Sequence, residues 1–298
     1  MKKCILILSC VALLLTGCKS EFNAVFKYGD NEAKYEYAKE CFANGKFQKA
    51  ITLLEELVTI KKGSDEAQEC LYMLAMAQYN NQDYDAASET FKKYGSSYPR
   101  GNFAEQAAFY VGEAYYQSSP EPRLDQSPTN GAITAYQQFL DLYPDSKLRA
   151  RAQDRLYELY DKLIRKEYLA AELYYNLGGY FGNINSNDES NYNASIVTAQ
   201  NALKSYPYCS LREEFMLLIM KSKFQLAENS THVRRVERYR DAEDECYGFI
   251  NEFPESKNVA LAEKYIAKCK KVIKDYTLMI KFQKKICIIR NQKHRLIP

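Results

Sequence analysis

Side chains able to do covalent or proton-transfer chemistry are few in this 298-residue chain. Its two histidines, His232 and His294, are far apart, so a histidine triad or a histidine metal site lacks material. Nine cysteines are present, but no two form a CxxC pair or a zinc spacing. Acidic pairs such as Glu55-Glu56 and Asp244-Glu245 are common, yet neighbours on a helix point in different directions and read as solvated faces. GxxxxGK[ST], HExxH, GxSxG and GxGxxG are all missing. Neither enzyme activity nor a cofactor or metal is expected. What remains is aromatic: 26 Tyr and 14 Phe, with no Trp. Tyr35, Tyr72 and Phe109 follow one another at intervals of 37 residues, and so do Phe42, Tyr79 and Tyr116. The two rows lie seven residues apart, on one helix face. Such rings could line a groove for an extended peptide with apolar or aromatic residues, each good stack contributing about 0.5 to 1.5 kcal/mol. They could equally pack neighbouring helices together.

Rows of this kind need helices in register, and the sequence supplies hairpins. In residues 66 to 99, Leu71, Leu74, Ala75 and Gln78 fall at i, i+3, i+4 and i+7. Tyr84, Ala87, Phe91 and Tyr94 repeat the spacing after the turn-forming Asn80-Asn81-Gln82-Asp83. Small Ala75 and Ala87 let two backbones approach, and Pro99 forbids further helix. Small, aromatic and terminal-proline positions within about 34 residues resemble the tetratricopeptide repeat. Residues 32 to 63 show the same pattern 37 positions earlier, with Ala38, Phe47, Ala50 and Leu54 at the matching places and Gly63 suited to a left-handed stop. Further hairpins are expected over 104 to 144, 150 to 207 and 211 to 254. Pro99, Pro144, Pro207 and Pro254 each follow an aromatic residue, with a small residue (Ala87, Ala132, Ser195, Ala242) twelve positions earlier. Val259 to Lys274 then closes the array. The expected fold is all-α: a superhelix of five tetratricopeptide-like hairpins plus a closing C-terminal helix. Two interruptions stand out. Three prolines in 118 to 128 exclude regular helix and leave either a partner-binding loop or a tolerated insertion. Residues 182 to 191 are a polar loop.

Before the hairpins, Lys2 and Lys3, the apolar run Ile5 to Leu15 and Leu15-Thr16-Gly17-Cys18 form an export signal too short to span a bilayer. Leu-Thr-Gly-Cys resembles the bacterial lipobox, which implies an acylated Cys18 as the mature N-terminus. An ordinary secretory signal with an incidental cysteine would leave a soluble periplasmic protein instead. The expected boundaries are a signal peptide over 1–17, a lipid-anchored linker over 18–30, repeats over 31–275 and a basic tail over 276–298. Outside the cytoplasm disulfides are possible. Cys41 and Cys246 nevertheless fall at inward repeat positions, so Cys41, Cys70, Cys209, Cys246, Cys269 and Cys287 read as small buried residues, with bridges as the alternative. Taking the two leader lysines and the six basic residues of the tail from the net charge of +3 leaves −5 for residues 19–275. A body of that charge is no nucleic-acid surface. The tail is either a basic amphipathic helix for anionic lipid or a partner, or an unfolded extension.

Signal, lipobox and five repeats together resemble the BamD family, outer-membrane lipoproteins of the beta-barrel assembly machinery. The resemblance covers residues 15 to about 275 and rests further on SPEPRLDQ at 119–126, LYYNLGGY at 173–180, RYRDA at 238–242 and FINEFPESK at 249–257. It implies a non-catalytic protein on the periplasmic face of the outer membrane. Such a protein would bind the periplasmic POTRA domains of BamA through its later repeats and receive unfolded outer-membrane proteins through its earlier ones. Lys19 stands where an aspartate would imply retention in the inner membrane, in keeping with outer-membrane delivery. The Asn-rich 182–191 stretch and the tail after Asp275 depart from the family pattern, which leaves the fourth hairpin and the C-terminal contacts open. Two other readings are a glycan-capturing lipoprotein of the SusD type, for which the chain is short, and a periplasmic adaptor for envelope constriction or peptidoglycan work. The latter usually carries a coiled coil, and no sustained heptad is present.

Overall fold

The computed structural model describes residues 21–64, 66–178, 190–231 and 233–294, with side chains as far as Met279. The leader, Cys18 and most of the 182–191 stretch lie outside the described residues. Every described element is a helix. After α1 (21–28) come α2 (Asn31–Ala43) and α3 (Phe47–Ile60), then α4 (Ala67–Asn80) and α5 (Tyr84–Ser97). These are followed by α6 (Ala104–Ser118) and α7 (Ser127–Leu142), α8 (Arg149–Leu177) and α9 (Asn191–Ser205), α10 (Arg212–Glu228) and α11 (Arg235–Glu252), and finally α12 (Val259–His294). Consecutive helices from α2 to α7 and from α9 to α12 are in contact, and Ile164 and Ala171 of α8 share a cluster with Ile196, Ala199 and Ala202 of α9. The five hairpins are those read from the sequence. They fall into two compact units that divide inside α8, between Leu159 and Tyr160.

The aromatic-proline positions explain how the chain turns. Tyr98, Tyr143, Tyr206 and Phe253 end α5, α7, α9 and α11 with nearly the same backbone, φ −133° to −127° and ψ 63° to 68°. A residue before proline is pushed out of the helical region, so each helix stops there. Each of the four then accepts a hydrogen bond from the amide three residues on, at Gly101, Ser146, Cys209 and Ser256. The carbonyls of those four accept in turn from Ala104, Arg149, Arg212 and Val259, at the start of the next helix. One connector is thus used four times. The turns inside the first two hairpins are also equivalent: Gly45 (φ 71°) and Gln82 (φ 65°), 37 residues apart, both take the left-handed conformation. Gly63 takes φ 95°, just beyond the end of α3.

Small residues sit where helices cross. Ala75, Ala87, Ala132, Ser195 and Ala242 are fully buried, and a Cβ on Gly112 of α6 would stand 2.7 Å from the Tyr136 ring of α7. In the first unit, Leu53, Leu54 and Leu57 of α3 are fully buried, each contributing about 1.5–3 kcal/mol. Phe22, Val25 and Phe26 of α1 pack against that cluster, so the stretch read as a linker holds a docked helix. In the second unit, Phe215, Met220, Cys246, Phe249 and Cys269 are buried. Cys41, Cys70, Cys246 and Cys269 are buried free thiols, and Cys209 is a half-buried one.

Two expectations change. Pro128 is not in the loop but in the first turn of α7, where its missing N–H costs nothing. The loop it was assigned to is pinned from within: buried Gln126 donates to the carbonyls of Glu121 and Leu124 and accepts from Thr129. The closing helix does not stop at Lys274, for α12 runs to His294. No proline or glycine lies between Val259 and His294 to end it.

Candidate functional site

The six rings singled out for a peptide groove do not form one open surface. Tyr35 and Phe109 are only 4% and 1% exposed. Tyr35 lies between the ammonium groups of Lys39 and Lys61, 4.7 and 4.6 Å from its ring centre. Phe109 packs edge-on against Tyr136 and Phe139 of α7, beneath the guanidinium of Arg151. Half-buried Tyr72 stacks on Phe103 at 4.5 Å and meets Phe91 and Tyr94 edge-on. Of this row Tyr35 and Phe109 belong to the core, the packing alternative, and Tyr72 is partly buried against it; the cause is simple. Each ring leans onto the second helix of its own hairpin or the start of the next one, which a single-helix view does not show. The second row differs. Phe42, Tyr79 and Tyr116 are all half-buried, with Phe42 against Phe47, Tyr79 against Tyr84 and Tyr110, and Tyr116 under Arg155.

Beside Tyr116 lies a polar cluster that sequence reasoning missed. Glu113 of α6 is fully buried. Its carboxylate accepts from the Tyr136 hydroxyl at 2.7 Å, from Arg151 Nη2 at 2.6 Å and from Arg155 Nε at 3.3 Å. Arg155 Nη1 also donates to the Tyr116 hydroxyl at 2.9 Å, and that hydroxyl donates to Glu158. Burial and the hydrogen bond to Glu113 push the Tyr136 hydroxyl well above its ordinary range, so it stays a donor. Two cations on a buried anion bind α6 to the start of α8. The available signal was Arg151 and Arg155 one turn apart, opposite an acid flanked by Val111, Gly112 and Ala114.

The opposite side of α6 is different in kind. Phe109, Glu113 and Tyr116 run along one side of this helix, while Ala104, Ala108, Val111 and Tyr115 run along the other at i, i+4, i+7 and i+11. Above that second side, between α5 and α7, is a cavity of about 860 Å³. Gly95 and Lys92 of α5 form one wall, and Gly131, Ala135 and Leu142 of α7 the other. It is within the size range of sites that take ligands. Lys92 stands at its rim, donating to the Tyr115 hydroxyl at 2.5 Å and to Glu89 at 2.8 Å. Among the described residues, no group of acidic, histidine and cysteine side chains could hold a metal ion, and no helix is long and apolar enough to cross a membrane.

Residues 28–189, just over half of the chain, match the family described as "YfiO: Outer membrane lipoprotein". The chain belongs to this family, the BamD family. A curated relative, "Outer membrane protein assembly factor BamD" of Caulobacter vibrioides, is 24% identical over 161 residues, which are 53% of this chain and 52% of the relative. The match thus spans about half the length of that relative. Among solved structures, the chain is similar to "TPR2AB-domain:pHSP90-complex of yeast Sti1" at 13% identity and a TM-score of 0.35, over 80% of this chain and 98% of the other. That likeness is too slight to carry an argument.

Proposed function

We propose that this protein is a non-catalytic component of the outer-membrane beta-barrel assembly machinery. It is held by acylated Cys18 on the periplasmic face of the outer membrane, binds the POTRA domains of BamA through its later hairpins and receives unfolded outer-membrane proteins through its earlier ones. The family match over residues 28–189 carries this reading, and the name of the Caulobacter relative supports it. An array of helical hairpins offers surface rather than reactive groups, in keeping with a scaffold.

Phe42, Tyr79 and Tyr116 are the rings an incoming segment can reach. Phe42→Ala with Tyr79→Ala should weaken binding of C-terminal barrel peptides several-fold and, because both rings also pack against the core clusters, lower the melting temperature as well, whereas Tyr72→Ala should lower the melting temperature and leave peptide binding unchanged. The deciding experiment purifies the lipidated protein from outer membranes in mild detergent and identifies what stays bound. A POTRA-containing barrel protein at near-equal stoichiometry is expected. A glycan transporter or division proteins in its place would remove the assembly role.

A further inference from the structure

The cavity between α5 and α7 is carved by missing side chains, and the preceding repeat shows what is missing. Thirty-seven residues before Ala108, Val111 and Gly95 stand Leu71, Leu74 and Val58. There the chain fills the equivalent space itself: Leu71 and Leu74 are buried, and Val58 packs against the cluster that holds Leu71. On α6 leucine is replaced by alanine and leucine by valine, and on α5 valine is replaced by glycine. A Cβ added at Gly95 would meet nothing within 4 Å, so no crowding requires glycine at that position.

We propose that this groove is the docking site for an amphipathic helix of a partner protein, with aliphatic residues along one face and acidic residues at its flank. The inference goes beyond the assembly role and does not depend on it. Aliphatic side chains are what the repeat lacks here. A helix is favoured over an extended strand because both walls and the floor are helices whose backbone groups are already paired. A strand laid among them would leave its own N–H and C=O groups unsatisfied, while a helix satisfies its own. Length agrees: from Asn130 to Leu142 the wall runs roughly 18 Å, about three helical turns. Ala104, Ala108 and Val111 keep the floor low enough for a close crossing. Charge agrees too. Among the described residues none lining the groove is acidic, although residues 19–275 carry a formal −5, and the charged group at the rim is Lys92. Its exposed pair with Glu89 is weak enough to give way to a ligand carboxylate.

The test uses the full chain and a fluorescent peptide of about 14 residues, lactam-bridged to hold it helical, with leucines at i, i+4, i+7 and i+11 and a glutamate at each flank. Saturable binding is expected, weakened about tenfold or more by Ala108→Leu with Gly95→Val, which restore the side chains of the preceding repeat, at unchanged helicity and melting temperature. Should that double variant misfold, Lys92→Glu on the exposed rim remains informative. It should weaken the glutamate-flanked peptide about fivefold, and a lysine-flanked peptide should recover the loss. Equal binding to the filled groove, equal competition by a peptide of alternating leucines, or no saturable binding would each overturn the proposal. So would a concentration-dependent dimer of the protein alone that Ala108→Leu abolishes, because the occupant would then be a second copy.

Discussion

At the scale of single residues, Glu113 carries the most consequence. The equivalent positions in the two preceding repeats are Met76 and Lys39, so nothing in the repeat demands a carboxylate there. What holds it is the facing pair Arg151 and Arg155. Removing one partner of a buried ion pair usually costs about 3–5 kcal/mol, and half-exposed Arg151 can rehydrate, which argues for the lower end. Glu113→Ala should therefore cost about 3 kcal/mol in urea unfolding, and Glu113→Gln, which still accepts from Tyr136, about half that. The sequence concealed this residue because an acid on a helix normally reads as solvated; helices arriving from 23 and 38 residues on cover it. A second expectation concerns the thiols. Burial pushes Cys70 up to about 11 and Cys246 and Cys269 up to about 12, leaving almost no thiolate at neutral pH. Iodoacetamide at about pH 8 should label these three only after denaturant is added, as mass spectrometry of the digested protein would show.

Among the elements, α12 has a hold on its neighbours that depends on pH. Glu228 at the end of α10 accepts from Lys268 of α12 at 2.8 Å and from the Tyr239 hydroxyl of α11. Burial alone would raise its carboxyl, but these donors and nearby positive charge outweigh burial and bring it below the ordinary 4.5. A carboxyl lowered in the native state stabilises fully above its unfolded value and loses that contribution as pH falls through the native one. Hydrogen exchange at the amides of Ala262 to Cys269 should accordingly speed up as pH falls below the ordinary 4.5, once the intrinsic rates are corrected for pH. Lys268→Ala should flatten that response. The ends of elements were legible wherever a local rule fixed them: an aromatic residue before proline ended four helices in nearly identical conformations. They were illegible where the rule cuts both ways. Proline breaks a helix interior but starts a helix readily, and so Pro128 moved from the loop into α7.

For the whole molecule, period and contact proved to be separate kinds of information. The interval of 37 residues between Tyr35, Tyr72 and Phe109 states that their positions are equivalent, but not what lies across from them. Contacts with other helices decided that, and they put Tyr35 and Phe109 in the core while leaving Phe42, Tyr79 and Tyr116 within reach of solvent. The same logic exposed the groove over α6, since equivalence becomes informative where one copy stops filling a space that another fills. The docking of α1 against the first hairpin has a mechanical consequence of its own. Lys19 and Ser20 lie between Cys18 and the first described residue of this helix, a contour of at most roughly 11 Å. With Cys18 acylated as proposed, the first hairpin would be moored in the headgroup layer rather than hung from it. Capture of anything approaching would then become a search across a plane. A Gly/Ser insert of about 20 residues between Ser20 and Glu21 should cast that mooring off by roughly 25 Å, measurable as a loss of energy transfer from a labelled Tyr28→Cys to a dye at the membrane surface.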